Sequence, residues 1–328
     1  MSERPEAWYH LRASRVNPPG SAKTGEGRLA YQAALQQAEE LWLAARAAGP
    51  AGRPLPLFYF LAQTGRAIVA ARGETEAKGH GLEGPVLGES ALRCLVQPQK
   101  GGWFQKMLEV TGSAHLPPRI ELGALVASIP ELVDVDGIDQ KLPRAIPVWA
   151  GPFPVDVFSS GFQQITQTYR VPGVVVLRDL PNDLRGVRAA LEPYPDASTA
   201  QPSLEVWDTP GGRGYLFWWP RPDPSTDPLP PRYGGEGFRW MRPNLPSGDR
   251  PPSILMTWWA ILFTLSMLAR YHPVEWVAAL DVNRSPEAVV LERSLEVALE
   301  VVPELVLEAI AAAVGRSIAT LGARVSNG

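Results

Sequence analysis

The side chains here whose types suit proton transfer or anion binding are four histidines and two groups of arginines. His10, His80, His115 and His272 lie far apart, with no His-Glu-x-x-His or other short ligand spacing, so no metal is expected from any one segment. In the first group Arg66, one turn after Gln63, sits in an otherwise apolar run, with Arg72 near its end and His80 in the loop beyond. The second is Arg270-Tyr271-His272-Pro273, followed by Trp276. An unpaired charge on a buried helix costs several kcal/mol, so each arginine needs an acid or a ligand. Glu121 or Glu304 would give Arg66 a packing ion pair, and a backbone carbonyl would hold the His80 imidazole. Arg270 and His272 would complement a helix C-terminus by ~0.3 to 1 kcal/mol each. The functional alternative is that both groups converge on one pocket. There Arg66 and Arg270 would bind an anion, and His80 and His272, imidazoles of a kind that ordinarily titrates near neutrality, would move a proton. Arg72, Tyr271, Trp276 and Gln63 would surround the bound molecule.

Other chemistries are excluded by what the chain lacks. No phosphate-cradling Gly-Lys-Ser/Thr loop, no Gly-x-Gly-x-x-Gly after a strand and no Gly-x-Ser-x-Gly occurs, so the usual nucleotide, dinucleotide and serine-hydrolase sites are absent. Asp134, Asp136 and Asp139 surround Gly137 without the downstream glutamate of a calcium loop and read as a solvated turn. No cofactor and no metal is expected. With Cys94 as the single cysteine, neither an internal disulfide nor a thiolate zinc site can form within one chain. A formal net charge of -3 argues against broad attraction to a nucleic-acid backbone, though a local basic pocket remains open. The acidic, proline-containing start Met1-Ser-Glu-Arg-Pro-Glu6 is unlike a secretory signal, so a cytoplasmic address is expected.

The elements that would position these residues are helical at both ends of the 328-residue chain. Tyr31, Leu35, Ala38, Trp42 and Ala45 recur at helical spacing between Glu26 and Ala48, where Gly49-Pro50 stops the helix. Leu57 to Arg72 is apolar nearly all round and predicts a buried helix, with Gly65 admitting a close neighbour. Ser253 to Ala269 carries no charge and approaches the length of a membrane span. Its serines and threonines and its tight flanks favour a core helix, and no membrane is expected. Ser285-Pro-Glu287 predicts another helix start, with Pro303 breaking that helix before a last one from Glu304 to Leu321.

Between these ends, Ala91 to Gln97 and Gly102 to Val110 predict a hairpin, and Ile120 to Leu132 a short helix stopped near Pro130. More than half of the 34 prolines fall between Pro143 and Pro252, around apolar runs such as Gly173 to Arg178 and Gly214 to Pro220. Prolines bounding such runs describe edge strands and turns, and Arg221 to Asp249 predicts a mobile loop. The expected architecture is α+β. Residues 16–82 and 251–328 form two halves of one helical bundle around an inserted, mainly β region at 83–250.

The runs Phe58 to Ala71, Gly79-His-Gly-Leu82 and Phe263 to Trp276 resemble the YaaC-like family of bacterial proteins, and the resemblance spans most of the chain. The aromatic pair, the Gly-Arg-Ala-Ile run and the loop histidine before Gly-Leu are also similar to HEPN helical domains. That second likeness implies a HEPN-like bundle that either cleaves RNA without a metal or binds nucleotides or partners without catalysis. Catalytic HEPN members place Arg and His a few residues apart on one helix. Here Gly73 and six more residues separate Arg72 from His80, and only Tyr271 separates Arg270 from His272. The spacing favours a non-catalytic binding or regulatory protein that holds an anionic ligand or a partner in an Arg/His pocket. The alternatives are a metal-independent ribonuclease and a purely structural role for both clusters. The apolar C-terminal helices would complete either a monomer core or a homodimer interface.

Overall fold

The computed structural model describes residues 6–74, 77–149, 169–176, 183–195, 201–209, 212–220, 238–246, 250–315 and 321. Nine α-helices run through them: α1 Ala7–Val16, α2 Gly25–Ala47, α3 Pro54–Arg72, α4 Gly102–Thr111, α5 Leu122–Ala127, α6 Leu184–Leu191, α7 Ile254–Tyr271, α8 Pro273–Ala279 and α9 Ala288–Ala313. The strands are β1 Leu95–Val96, β2 Ile120–Glu121, β3 Ile146–Trp149, β4 Tyr169–Val176, β5 Gln201–Thr209, β6 Gly212–Pro220 and β7 Phe238–Met241. The fold class is α+β, as expected. Contacts divide the chain into two units, one of residues 1–126, 134–139 and 251–328, the other of residues 127–133 and 140–250.

In the first unit α3 packs against α2, α4, α7 and α9. The helices of the two chain ends therefore form one bundle. The reason is compositional: α3 and α7 carry apolar residues around most of their circumference, and a helix of that kind must be covered on most sides, α3 leaving only a narrow face with Tyr59 and Arg66 exposed. From Ile254 to Ser266 every residue of α7 is buried. Although α7 is the one described helix long and apolar enough to cross a membrane, it is a core helix of this unit. Gly65 brings α3 against α7, since a Cβ there would lie 2.7 and 2.8 Å from two ring atoms of Trp259.

Pro303 does not break the last helix, contrary to expectation. Helix α9 runs unbroken from Ala288 to Ala313 with Pro303 buried inside it. Proline lacks an N–H, so the carbonyl four residues earlier, that of Leu299, loses its helical donor. The Trp42 indole Nε1 of α2 donates to that oxygen at 2.9 Å. Trp42 also lies 5.3 Å from Trp8 of α1, which in turn meets Phe60 of α3 at 5.8 Å.

The expected hairpin is also replaced. Gly102–Thr111 is helix α4, which buries Phe104, Met107 and Leu108 at the three- and four-residue spacing of a helix. Strand β1 pairs instead with β2, antiparallel, Leu95 opposite Glu121 and Val96 opposite Ile120. The start of α4 is closed by the preceding loop, whose Gly79 and His80 carbonyls accept from Trp103 N at 3.0 Å and Phe104 N at 2.9 Å. Gly81 and Gly102 make this crossing possible, both at positive φ: a Cβ on Gly102 would run into the Gly81 backbone, and one on Gly81 into Gly101 O and Phe104 N.

In the second unit β5-β6-β4-β3-β7 form an antiparallel sheet. Val148, Val175, Tyr215, Phe217 and Met241 make a core with Val187 and Leu191 of α6. Pro202 lies on the edge strand β5, but Pro147 and Pro172 lie in the interior strands β3 and β4, contrary to the edge position expected of strand prolines. Arg242, just past β7, is buried and donates to Ser128 O and Ser128 Oγ, each at 2.9 Å. Strand β7 falls inside the segment Arg221 to Asp249 that the sequence leaves as a loop. Residues 221–237 and 247–249 of that segment lie outside the described residues.

Gly65→Ala is expected to destabilise the helical unit by about 1 to 3 kcal/mol through overpacking, as read by chemical denaturation. Trp42→Phe should lose about 1 to 3 kcal/mol, part of it from the orphaned Leu299 carbonyl. In a Pro303→Ala background the helix supplies its own donor, so Trp42→Phe should cost about 1 kcal/mol less there. Equal costs in both backgrounds would show that the indole bond does not compensate for the proline.

Candidate functional site

Of the residues singled out by type, Arg66 lines one crevice and Trp276 a second, larger cavity, and the others line neither of these two. Arg66 lies on the exposed side of α3, its guanidinium 5.3 Å from the centroid of the Trp103 ring. It lines a crevice of about 330 Å³ with Glu26, Val69 and Glu74. Of the acids considered for it, Glu121 pairs with Arg93 at 2.8 Å. Glu304 stands near Glu6, and burial first and that like charge second raise its pKa. Gln63 is half-buried on α3. Arg72 Nη1 donates to the Ala313 carbonyl at 3.2 Å, a cation closing the end of α9.

His80 is exposed in its loop, its ring 5.7 Å from that of Phe58 and 5.6 Å from that of Phe263. Arg270 is exposed and lies 4.9 Å over the ring of Tyr271, itself exposed. His272 serves as a joint: its N–H donates to Leu268 O to close α7, and its carbonyl accepts from Trp276 N to open α8. Pro273 at the first position of α8 forgoes only a donor that would have been unsatisfied there. His80, Arg270 and His272 line neither the Arg66 crevice nor the larger cavity described next.

That larger cavity does contain Trp276. Helix α8 turns this indole inward, where it is 1% exposed and donates through Nε1 to Ala51 O at 2.9 Å. Its ring becomes part of the wall of a cavity of about 640 Å³, formed by the Leu87–Cys94 loop, the end of α7, α8 and the turn before α9. Leu268, Ala91, Cys94, Ala278 and Ala279 supply much of its remaining apolar surface, with Leu87 and Pro286.

The loop is held in place by Glu287 at the head of α9. One carboxylate oxygen accepts from Ser90 Oγ and the other from Leu92 N at 3.1 Å. On the far side the loop is bridged to the body by Val86 and Leu95, which exchange backbone bonds of 3.2 and 2.9 Å. Arg93 donates to Glu121 at 2.8 Å and to Asp139 at 2.7 Å. The Asp134, Asp136 and Asp139 turn thus contributes an ion-pair partner rather than a cation loop. Among the described residues no group of three or more His, Cys, Asp or Glu side chains is placed to hold a metal.

Cavity-lining residues such as Ser90, Glu275 and Glu287 carried no signal in the sequence beyond the helix start at Ser285-Pro-Glu287. There Ser285 Oγ does accept from Glu287 N, at 3.3 Å, one turn before α9 begins.

A family model described as YaaC-like Protein matches residues 10–310. No curated protein and no solved structure matches the chain.

Burial raises the pKa of the Cys94 thiol; the Gly88 backbone opposes this and the Glu287 charge adds to it. The thiolate fraction is therefore lower at any given pH than in an unfolded chain. Iodoacetamide at pH 8 is expected to alkylate native Cys94 at least about tenfold more slowly than the denatured protein, followed by mass spectrometry. Equal rates would mean that the thiol on the cavity wall is reactive.

Proposed function

The chain belongs to the YaaC-like family, and from that premise we propose that it is a non-catalytic binding protein that takes a small organic molecule in the α8 cavity and acts in a reducing, cytoplasmic setting. The observation that carries this reading is the cavity itself. Its volume of about 640 Å³ falls within the range of roughly 300 to 1,000 Å³ typical of small-molecule sites. Nine of its sixteen lining residues are apolar or glycine, among them an aromatic ring and two alanines of one helix, and the other seven are polar or charged, a mixture of apolar wall and polar groups that such sites use to bind and orient a ligand.

Catalysis would need a nucleophile or an acid–base pair facing the bound molecule. The one thiol on the wall is driven toward its protonated form, and the imidazoles of His80 and His272 lie outside the wall. Glu287 is engaged by Ser90 and Leu92 and acts as a structural clamp. A regulatory role is supported by the position of the cavity, whose wall joins residues 87–94 to residues 268–287, so that a ligand would tie two segments distant in sequence together. The ribonuclease alternative asks an arginine and an imidazole to meet on one phosphate. Arg66 and His80 instead rest on different aromatic surfaces, Trp103 for the first and Phe58 with Phe263 for the second.

Two measurements test this reading. Ligand-observed NMR against a fragment library should return molecules that bind the wild type and are lost in Ala278→Trp, whose indole would fill the cavity mouth. Hits that bind both proteins alike would remove the cavity as the site. In parallel, RNA incubated with the protein and EDTA should remain intact; cleavage abolished by His80→Ala or His272→Ala would replace the binding reading with the nuclease one.

A further inference from the structure

Resting on the α8 cavity as a ligand site, we infer that its ligand is an amphipathic organic cation, an apolar body carrying an ammonium or guanidinium group, rather than an anion. The sign follows from which charges at the cavity are already engaged. Two arginines and three glutamates line it. Arg93 is doubly held, by Glu121 at 2.8 Å and Asp139 at 2.7 Å, acids that are not themselves on the wall. Arg284 is largely exposed to solvent and meets Asp281, also off the wall, at 3.5 Å, a weak surface pair. Glu287 accepts from Ser90 and Leu92.

Glu89 and Glu275 remain. Both line the cavity, both are exposed, and neither makes an ion pair or side-chain hydrogen bond among the described residues. The only uncommitted charges at the mouth are thus two carboxylates. They sit above a wall of Leu268, Trp276 and alanine methyl groups that has no uncommitted charge of its own. An anion entering here would meet two like charges and would have to displace an acid from an arginine to find a partner. A cation would meet two free acceptors while its apolar body covers the wall. This reverses the sign of ligand that the clustered arginines and histidines lead one to expect.

Three probes with one indolylethyl body separate the possibilities: tryptamine with an ammonium group, tryptophol with a hydroxyl and indole-3-propanoate with a carboxylate. Titrated by ligand-observed NMR at low salt, tryptamine should bind about tenfold more tightly than tryptophol, with the carboxylate weakest, in keeping with two surface charge contacts of modest strength. The preference should shrink to about threefold or less in the double variant Glu89→Gln, Glu275→Gln, and at high salt, because exposed charges are screened. Both positions are on the surface, and circular dichroism verifies the fold of the variant.

Tight binding by the carboxylate, or an ammonium preference that survives the double substitution, overturns the inference. If the three probes bind equally and all are lost in Ala278→Trp, the cavity stands as a binding site and its preference for cations does not. If probe binding is indifferent to Ala278→Trp, the cavity is not the site and both readings fall. No binding of any probe at millimolar concentration also overturns the inference.

Discussion

Two helices that are apolar around most of their circumference set the terms for the helical unit. Helix α7 is buried along most of its length and α3 turns only a narrow face with Tyr59, Gln63 and Arg66 toward water, so each requires neighbours on most sides, and each is among the neighbours of the other. Between them the contact is close enough to demand glycine at position 65. Helices α2, α4 and α9 then complete the cover of α3. Burial of so much apolar surface is the main favourable term in such a unit. The polar devices around it, such as the Arg12 and Arg15 contacts to Glu39 that tie α1 to α2, set orientation rather than supply the driving force.

The same burial explains which parts of the fold were legible in the sequence. Regular apolar spacing in α2 and the unbroken apolar runs of α3 and α7 leave little choice of conformation, and these helices lie where their periodicity puts them. Local rules misled where a distant partner changed the balance. Pro303 is a helix breaker by propensity, but the indole of a residue 257 positions from Leu299 satisfies the carbonyl it frees. Gly101-Gly102 looks like a hairpin turn, but the Gly79 and His80 carbonyls capture the amides that follow and start a helix. Tertiary context of this kind is not encoded in any short window.

The site was less legible than the fold for a related reason. Arginine and histidine draw attention by type, but Arg66, Arg72 and Arg270 are engaged with an aromatic face, a helix end and a neighbouring ring. The cavity is bounded by residues of ordinary type, and its character depends on which charges are left after pairing. Glu89 and Glu275 differ from Glu121 and Glu287 in having no partner among the described residues, a property of the folded arrangement. Trp276 was the one residue selected by sequence that reaches this wall, because an aromatic one turn beyond a helix joint is drawn inward by its own apolar area.

The helical unit is discontinuous along the chain, and this bears on how the protein is made. Residues 1–126 contribute α1 to α4, but α7 and α9 come from residues after 250. A ribosome delivers the N-terminal portion first. Until the last segment emerges, α3 has lost the cover of two neighbours, and the Trp42 indole has no Leu299 carbonyl to meet. Residues 140–250, by contrast, arrive as one block with their sheet and α6 complete. The described elements of the middle thus have all their chain partners before those of the beginning do. The exposed flank of α3 is then the surface a chaperone would have to shield during the interval.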